Sequence, residues 1–286
     1  MALSRRSVLI TGCSAGGIGA ALASVFQERG YHVFATARNP SKLPPNLSDA
    51  ANVTSLTLDV LSSESIAAAV EGVKRETGGK LDILINNSGA GMCLPALDTP
   101  IEDGKRLFDL NLWAPLAMFQ AFAPLLIEAK GCVVNNSSAG AYSPMALNSK
   151  YWISKAALAA ASETWSHELQ PLGVRTVTLI TCAVKTEFFT KYQRDELPAS
   201  SRYYGIRDFN YGISDGWLQA GAISSRQYAT KVAKEIEKGS TGIVWAGTHA
   251  LLFRFLCWLL PQSLFDMVVE SVVPISAEME KAKQKK

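Results

Sequence analysis

The chain has 286 residues, 48% of them apolar and 19% charged, which allows a sizeable core and excludes a disordered polymer. Its 28 basic and 25 acidic side chains leave a net charge of +3, too mild for the electrostatic footprint of a nucleic-acid binder. Five scattered cysteines (Cys13, Cys93, Cys132, Cys182, Cys257) with no CxxC pair, and three histidines far apart, make neither a disulfide framework nor a metal site.

The first apolar run is short and leads straight into a glycine-rich turn. It reads as a strand at 7–11 (SVLIT) and not as a signal peptide, which implies a cytosol-facing, reducing environment. A helical pattern follows at 19–29, with Leu22, Val25 and Phe26 on one face. Further strands are expected at 31–37, 53–58, 81–85, 131–136, 174–180 and 241–245. Between them come a helix starting near Ser62 or Ser63, a long helical region at 101–130 and an alanine-rich helix at 149–170. Strands rich in Val, Ile and Leu that alternate with helices predict an α/β fold. It is a single Rossmann-type, doubly wound parallel sheet of about seven strands with helices on both faces. Residues 1–247 would form this domain. It includes a loop-like lid near 187–221 that carries Phe188, Phe189, Tyr192, Tyr203, Tyr204, Phe209, Tyr211 and Trp217. Residues 248–286 would be an apolar, amphipathic extension with a basic tail.

Residues 11–19 read TGCSAGGIG, directly after the first strand and before the first helix. Glycines there let the backbone approach a pyrophosphate, and the helix N-terminus points its free N–H groups and dipole at the anion. At the end of the second strand an acid would select NAD, and a cation NADP. No Asp or Glu occurs between Tyr31 and Ser48, whereas Arg38 and Lys42 do, which favours NADP(H). Tyr151 and Lys155 lie four apart at the start of the alanine-rich helix, on one face. A phenol titrates near pH 10 and is a poor acid at neutral pH; an ammonium one turn away lowers that value. Ser138 precedes this pair, and Asn111 sits in the middle of the 101–130 region.

With these residues in order, the chain resembles the short-chain dehydrogenase/reductases over about residues 5–247. The resemblance rests on TGCSAGGIG, the pair Asp59–Val60, NNSG at 86–89, Ser138 with YWISK at 151–155, and VKT at 184–186. It implies a catalytic tetrad of Asn111, Ser138, Tyr151 and Lys155. Tyr151 would exchange the proton, Lys155 would lower its pKa and hold the nicotinamide ribose, Ser138 would polarise the carbonyl, and Asn111 would hold a water. It also implies a cofactor set. Gly12, Ser14, Gly17, Ile18 and Gly19 would lie at the pyrophosphate and Arg38 at the 2′-phosphate. Asp59 and Val60 would bracket the adenine, Asn86 would lie along the cofactor, and Val184 and Thr186 would meet the carboxamide. Three departures stand out: one extra residue in the glycine loop, Ser88 in place of alanine, and Thr181–Cys182 in place of a Pro-Gly pair.

Within the family the chain is similar to fungal acyl-dihydroxyacetone-phosphate reductases and to ketoreductases of fungal secondary metabolism. The resemblance implies NADPH-dependent reduction of a bulky, apolar or lipid-like ketone, and a homo-oligomer built through the two long helices. A catalytically silent dinucleotide-binding scaffold is the non-enzyme alternative. In the extension, 250–260 (ALLFRFLCWLL) carries one charge in eleven residues, too short a run to cross a bilayer. Arg254, Gln262, Asp266 and Glu270 make a polar stripe beside Phe253, Leu256, Leu260, Leu264, Phe265 and Val268. This pattern fits a segment lying on a membrane, with the tail KAKQKK at headgroups, and the resemblance to the acyl-dihydroxyacetone-phosphate reductases implies the endoplasmic reticulum or lipid droplets. It equally fits a cover for the substrate pocket or a subunit interface.

Overall fold

The apolar runs become strands in the computed structural model, which describes residues 5–189 and 196–284. Seven parallel strands, β1 (Ser7–Ile10), β2 (His32–Ala37), β3 (Val53–Thr57), β4 (Ile83–Asn86), β5 (Cys132–Ser138), β6 (Arg175–Thr181) and β9 (Gly242–Ala246), form one sheet in the order β3-β2-β1-β4-β5-β6-β9. Between β6 and β9, β7 (Val184–Lys185) and β8 (Ile223–Ser224) pair as a small separate ladder. Each main-sheet strand lies within two or three residues of its expected place.

Helices cover both faces. On one side α1 (Ile18–Glu28), α2 (Pro45–Ser48) and α8 (Ser225–Glu237) bury Leu22, Phe26, Leu47, Val232 and Ile236 against Val8, Ile10, Ile83, Ile85 and Val177. On the other, α3 (Ser63–Thr77), α5 (Ala114–Ala129) and α6 (Ser149–Leu169) bury Val73, Phe122, Leu126 and Leu158 against Leu9, Leu84 and Val133. Helix α8 has no counterpart among the expected elements. Its signal is present all the same: Tyr228, Ala229, Val232, Ala233 and Ile236 recur at helical spacing and are buried. A capping box between Ser224 and Gln227 starts it.

Strand β1 is the point where the chain's progression across the sheet reverses: β2 lies on one side and β4 on the other. Ligands of open α/β sheets bind outside the carboxyl ends of the strands at such a point. The long helical region before β5 is divided. Helix α4 (Ile101–Phe108) passes through a π-turn at Asp109–Trp113 before α5 begins. That turn inserts an extra residue and puts Asn111 inside the molecule, 0% exposed.

Two segments depart from expectation. The lid is not all loop: it contains a 3-10 turn at Tyr204–Ile206, helix α7 (Arg207–Ser214) and a second 3-10 turn at Trp217–Gln219. Asn210 and Ile213 of α7 are fully buried, which accounts for the order. Tyr192 lies outside the described residues. The C-terminal extension, an amphipathic pattern in the sequence, divides into three helices, α9 (Ala250–Leu259), α10 (Gln262–Val272) and α11 (Ile275–Gln284). Pro261 and Pro274 break the run, because proline cannot donate to a preceding turn.

The extension packs onto the rest of the fold. Ala250, Phe253 and Cys257 of α9 sit against Ile180, Trp245 and Ala159, and Phe265 of α10 meets Phe253 edge-on at 5.9 Å. Val273 and Ile275 then join Ile213, Phe209 and Leu218 of the lid in a cluster with Cys93 and Leu147. The extension therefore runs from the sheet edge to the lid. Leu251, Leu252, Phe255, Trp258 and Leu259 face outward and are more than half exposed.

Candidate active site

Strand ends, helix starts and the loops between them supply the candidate residues, apart from Asn111 in the π-turn. The loop between β1 and α1 turns through Gly12 and Gly16, both at positive φ. Gly17 caps α1 without a side-chain bond, so the first-turn N–H groups are left to a ligand. Gly19 is needed for close approach: a methyl group there would collide with the carbonyl of Gly12. A glycine-walled loop that leads directly into a helix N-terminus suits a pyrophosphate. The cradle is stitched down by Cys13 N–H to Thr36 O at 2.8 Å and Ala15 N–H to Lys42 O at 2.9 Å.

Arg38 is the first residue beyond β2 and is exposed. Among the described residues it has no carboxylate partner, and none follows it nearby in sequence. Asp59 accepts the N–H of Leu61 at 3.0 Å and gives its own N–H to Ser65 Oγ at 2.9 Å; Val60 is buried. These bonds fix the turn after β3. Asn86, expected along the cofactor, sends its side chain to the α5–α6 layer, where Nδ2 donates to Asn135 Oδ1 at 2.9 Å. Side chains alternate across a strand, so Asn86 shares the face of Leu84 and not that of Ile83 and Ile85. Asn87 is the residue that meets the glycine loop, donating to Thr11 O at 2.8 Å.

Lys155 is 6% exposed and its ammonium donates to the Asn136 carbonyl at 2.9 Å. Burial disfavours the charged form and pulls its pKa down to about 8. A Cβ added at Gly89 would meet Asn111 Oδ1 at 3.0 Å and Lys155 Nζ at 3.3 Å, so these two side chains converge on one point. The Asn111 amide is fully engaged: Oδ1 accepts the Ala90 N–H, and Nδ2 donates to Ala90 O and Ser154 Oγ, each at 3.0 Å. It clamps the segment after β4 onto α6. Any water held by this residue falls to its main-chain carbonyl.

Ser138 ends β5, 8% exposed, and accepts the Gly140 N–H at 3.3 Å. The Trp152 ring packs on the backbone of Gly140, which draws the turn after Ser138 against the turn of α6 that carries Tyr151. The Tyr151 ring lies 4.7 Å from Trp152 and 6.1 Å from Phe188 of the lid, centre to centre. Val184 is buried. Thr186 Oγ1 accepts from the Phe188 N–H and from Gln219 Nε2, both at 3.3 Å. Glu187 N–H donates to Gly16 O at 3.0 Å, joining lid and glycine loop. Burial pushes the Cys13 and Cys182 thiols up to about 12, so neither is a nucleophile at neutral pH. No cluster of three metal-ligating side chains occurs among the described residues.

The family model for short chain dehydrogenases matches residues 6–197. The chain belongs to the short-chain dehydrogenase family. As a member it is an oxidoreductase, for which a nicotinamide dinucleotide cofactor is expected. The chain is similar to a short-chain dehydrogenase of Penicillium ochrochloron, ptmH, 42% identical over 275 residues, 96% of this chain and 100% of that one. It is also similar to the NADPH-dependent 1-acyldihydroxyacetone phosphate reductase of Schizosaccharomyces pombe, 41% identical over 281 residues and 94% of each chain. Among solved structures, a short-chain dehydrogenase from Streptomyces avermitilis superposes with a TM-score of 0.78 at 25% identity, covering 100% of this chain and 99% of that one.

Proposed function

We propose that this short-chain dehydrogenase reduces a ketone to a secondary alcohol with NADPH, acting on a bulky apolar or lipid-like substrate such as an acyl-dihydroxyacetone phosphate. The observation that carries the reading is a buried Lys155 one turn after Tyr151 on α6, with the turn beyond Ser138 packed against the same stretch of that helix through Trp152 and Gly140. The site is walled on the lid side by Phe188.

A bound nicotinamide cofactor supplies the hydride. The chain's own residues handle the oxygen. The Ser138 hydroxyl donates to the substrate carbonyl and holds it. The Tyr151 hydroxyl delivers the proton as charge develops on that oxygen. The Lys155 ammonium, held on the Asn136 carbonyl, lowers the Tyr151 pKa and offers its remaining protons to the cofactor ribose. Asn111 keeps the Ala90 segment in place and leaves a main-chain carbonyl for a water that reprotonates the site. The glycine loop with Ser14 and Ile18 would hold the pyrophosphate, Val60 and Asp59 the adenine, and Val184 and Thr186 the carboxamide.

The choice of NADPH rests on Arg38. Replacing it with aspartate puts a like charge against the 2′-phosphate and offers an acceptor to a free 2′-hydroxyl. The expected result for Arg38→Asp is a shift in the kcat/KM ratio of NADPH to NADH by about tenfold or more toward NADH, one charge contact being worth roughly that factor. A wild type that already prefers NADH overturns the choice.

Two substrates compete, because the relatives divide between a named acyl-dihydroxyacetone phosphate reductase and dehydrogenases of filamentous fungi named without a substrate. Edge-on pairs Phe188–Phe189 and Phe209–Trp217 make the lid aromatic and suit either. NADPH oxidation with hexadecanoyl-dihydroxyacetone phosphate and with unphosphorylated apolar ketones of similar bulk separates them. Preference for the phosphorylated ketone supports the lipid reading, and turnover of the others alone transfers the proposal to a secondary-metabolite ketone.

The outward face of α9 belongs to the same proposal. Residues 251, 252, 255, 258 and 259 fall on one side of that helix, with Trp258 81% and Leu251 68% exposed, and Arg254 is the helix's one charge. Such a patch lowers its free energy by meeting a lipid surface. Full-length protein is expected to float with anionic liposomes, and a variant with Leu252, Phe255 and Trp258 changed to serine to stay in solution. Equal behaviour of the two removes the lipid claim.

A further inference from the structure

Thr181, which stands where a Pro-Gly pair would be usual for the family, is part of a buried hydrogen-bond chain. Its hydroxyl donates to Asn136 Oδ1 at 2.6 Å. Having spent its single proton there, it accepts from the Tyr228 hydroxyl, 2.5 Å away. Asn136 Nδ2 donates onward to Asn87 Oδ1 at 3.0 Å, and Asn87 Nδ2 donates to the Thr11 carbonyl at 2.8 Å. Every donor points the same way, from α8 across the ends of β6, β5 and β4 to the glycine loop. Hydrogen bonds aligned in this manner reinforce one another where solvent is excluded. Tyr228 is 0% exposed and Asn136 8%, so a broken link leaves an unpaired polar group without water to replace its partner. The main-chain carbonyl of Asn136, the middle member, is the acceptor of Lys155.

We infer that Tyr228, Thr181 and Asn136 are positioning residues: their chain fixes the carbonyl on which Lys155 sits and, through Asn87, the floor of the dinucleotide crevice. They touch neither substrate nor the reacting atoms. A proline at 181 has no side-chain hydroxyl and could not close the chain; threonine can. Burial holds the Tyr228 phenol far above its ordinary pKa, so it remains a neutral donor throughout the working range.

The catalytic half of this inference rests on the reductase reading above, and the test is built to separate the two. Thr181→Val keeps the shape and removes the hydroxyl; Thr181→Ser keeps the hydroxyl; Tyr228→Phe removes only the terminal donor. With a ketone that wild type reduces, kcat is expected to fall about tenfold in Thr181→Val, the scale of one buried group left unpaired. It should fall about threefold in Tyr228→Phe and stay within about twofold of wild type in Thr181→Ser. Amide hydrogen exchange on the cofactor-free proteins reads the chain without any turnover. Peptides covering 86–90 and 11–17, remote in sequence from the substitution, should exchange faster in Thr181→Val and in Tyr228→Phe, and as in wild type in Thr181→Ser. If Thr181→Val does not fold, Tyr228→Phe against Thr181→Ser carries the comparison. The inference is overturned if the hydroxyl-less variants keep wild-type exchange at those peptides, or if Thr181→Ser is as impaired as Thr181→Val. A wild type that reduces no ketone fails the reductase reading alone, and the exchange data still decide the chain.

Discussion

Tyr151→Phe is expected to lower kcat by about two to four orders of magnitude, the range typical for removal of a general acid, while NADPH still binds. The phenol ring is held by Trp152 on its own helix and by Phe188 from the lid, and the substitution leaves both contacts in place. What disappears is the proton donor. Steady-state NADPH oxidation measures the loss, and nicotinamide fluorescence on titration with NADPH measures the binding. A variant that keeps most of its turnover would remove Tyr151 from the acid's role and with it the reading of Lys155 as its modulator.

Lys155→Met is expected to abolish detectable turnover and yet raise the melting temperature. The folded protein holds this ammonium in a buried place, where its pKa is about 8 against an ordinary 10.5. A lowered folded-state pKa means that the unfolded chain binds the proton more tightly, so below pH 8 the charge costs stability. The gap corresponds to about 3 kcal/mol, at about 1.4 kcal/mol per pH unit. Losing the bond to the Asn136 carbonyl offsets about 1 kcal/mol of the gain. A net gain of about 2 kcal/mol would raise the melting point of a chain this size by several degrees. The advantage should shrink as pH rises from 8 to 10.5, where the wild type sheds the same proton. Thermal melts of both proteins at pH 7 and at pH 10 check it, and a lower melting point for the variant at pH 7 shows that the lysine's bonds outweigh its desolvation.

The parts of this fold that could be read in advance are those with a strong local cause. Buried parallel strands are short blocks of Val, Ile and Leu, and Ser7–Ile10 or Arg175–Thr181 could hardly be anything else. The glycine loop and the Tyr151–Lys155 pair are equally local, a turn requirement and a one-turn spacing. Asn111 was placed in a helix, but the π-turn that aims it inward depends on packing that no single residue announces. Asn86 was expected along the cofactor from the resemblance alone, and strand parity at the end of β4 sends its side chain toward α5 and α6 while Asn87 meets the glycine loop. Tyr228 looked like one aromatic among eight tyrosines, and its part in the site arises from contacts with residues 47 and more positions away in sequence. The C-terminal helices showed their apolar character plainly. Within α9 this character divides by helical spacing into an inner face on Trp245 and an outer face around Trp258.

The tail's contact with the lid has a consequence for inheritance. The residues that seat α7 come from 209–218 itself and, from elsewhere in the chain, from Cys93, from 145–147 and from 273–275, so the packing of the lid depends on a tail more than fifty positions away. A mutation that reshapes the lid for a new substrate must remain compatible with Val273 and Ile275, and a change in the tail alters the entrance without touching it in sequence. Exchanging substrate range between this enzyme and a relative therefore calls for transplanting the lid and the tail as a single cassette. The half-transplants should behave as misassembled hybrids, impaired on the old ketone and the new one alike.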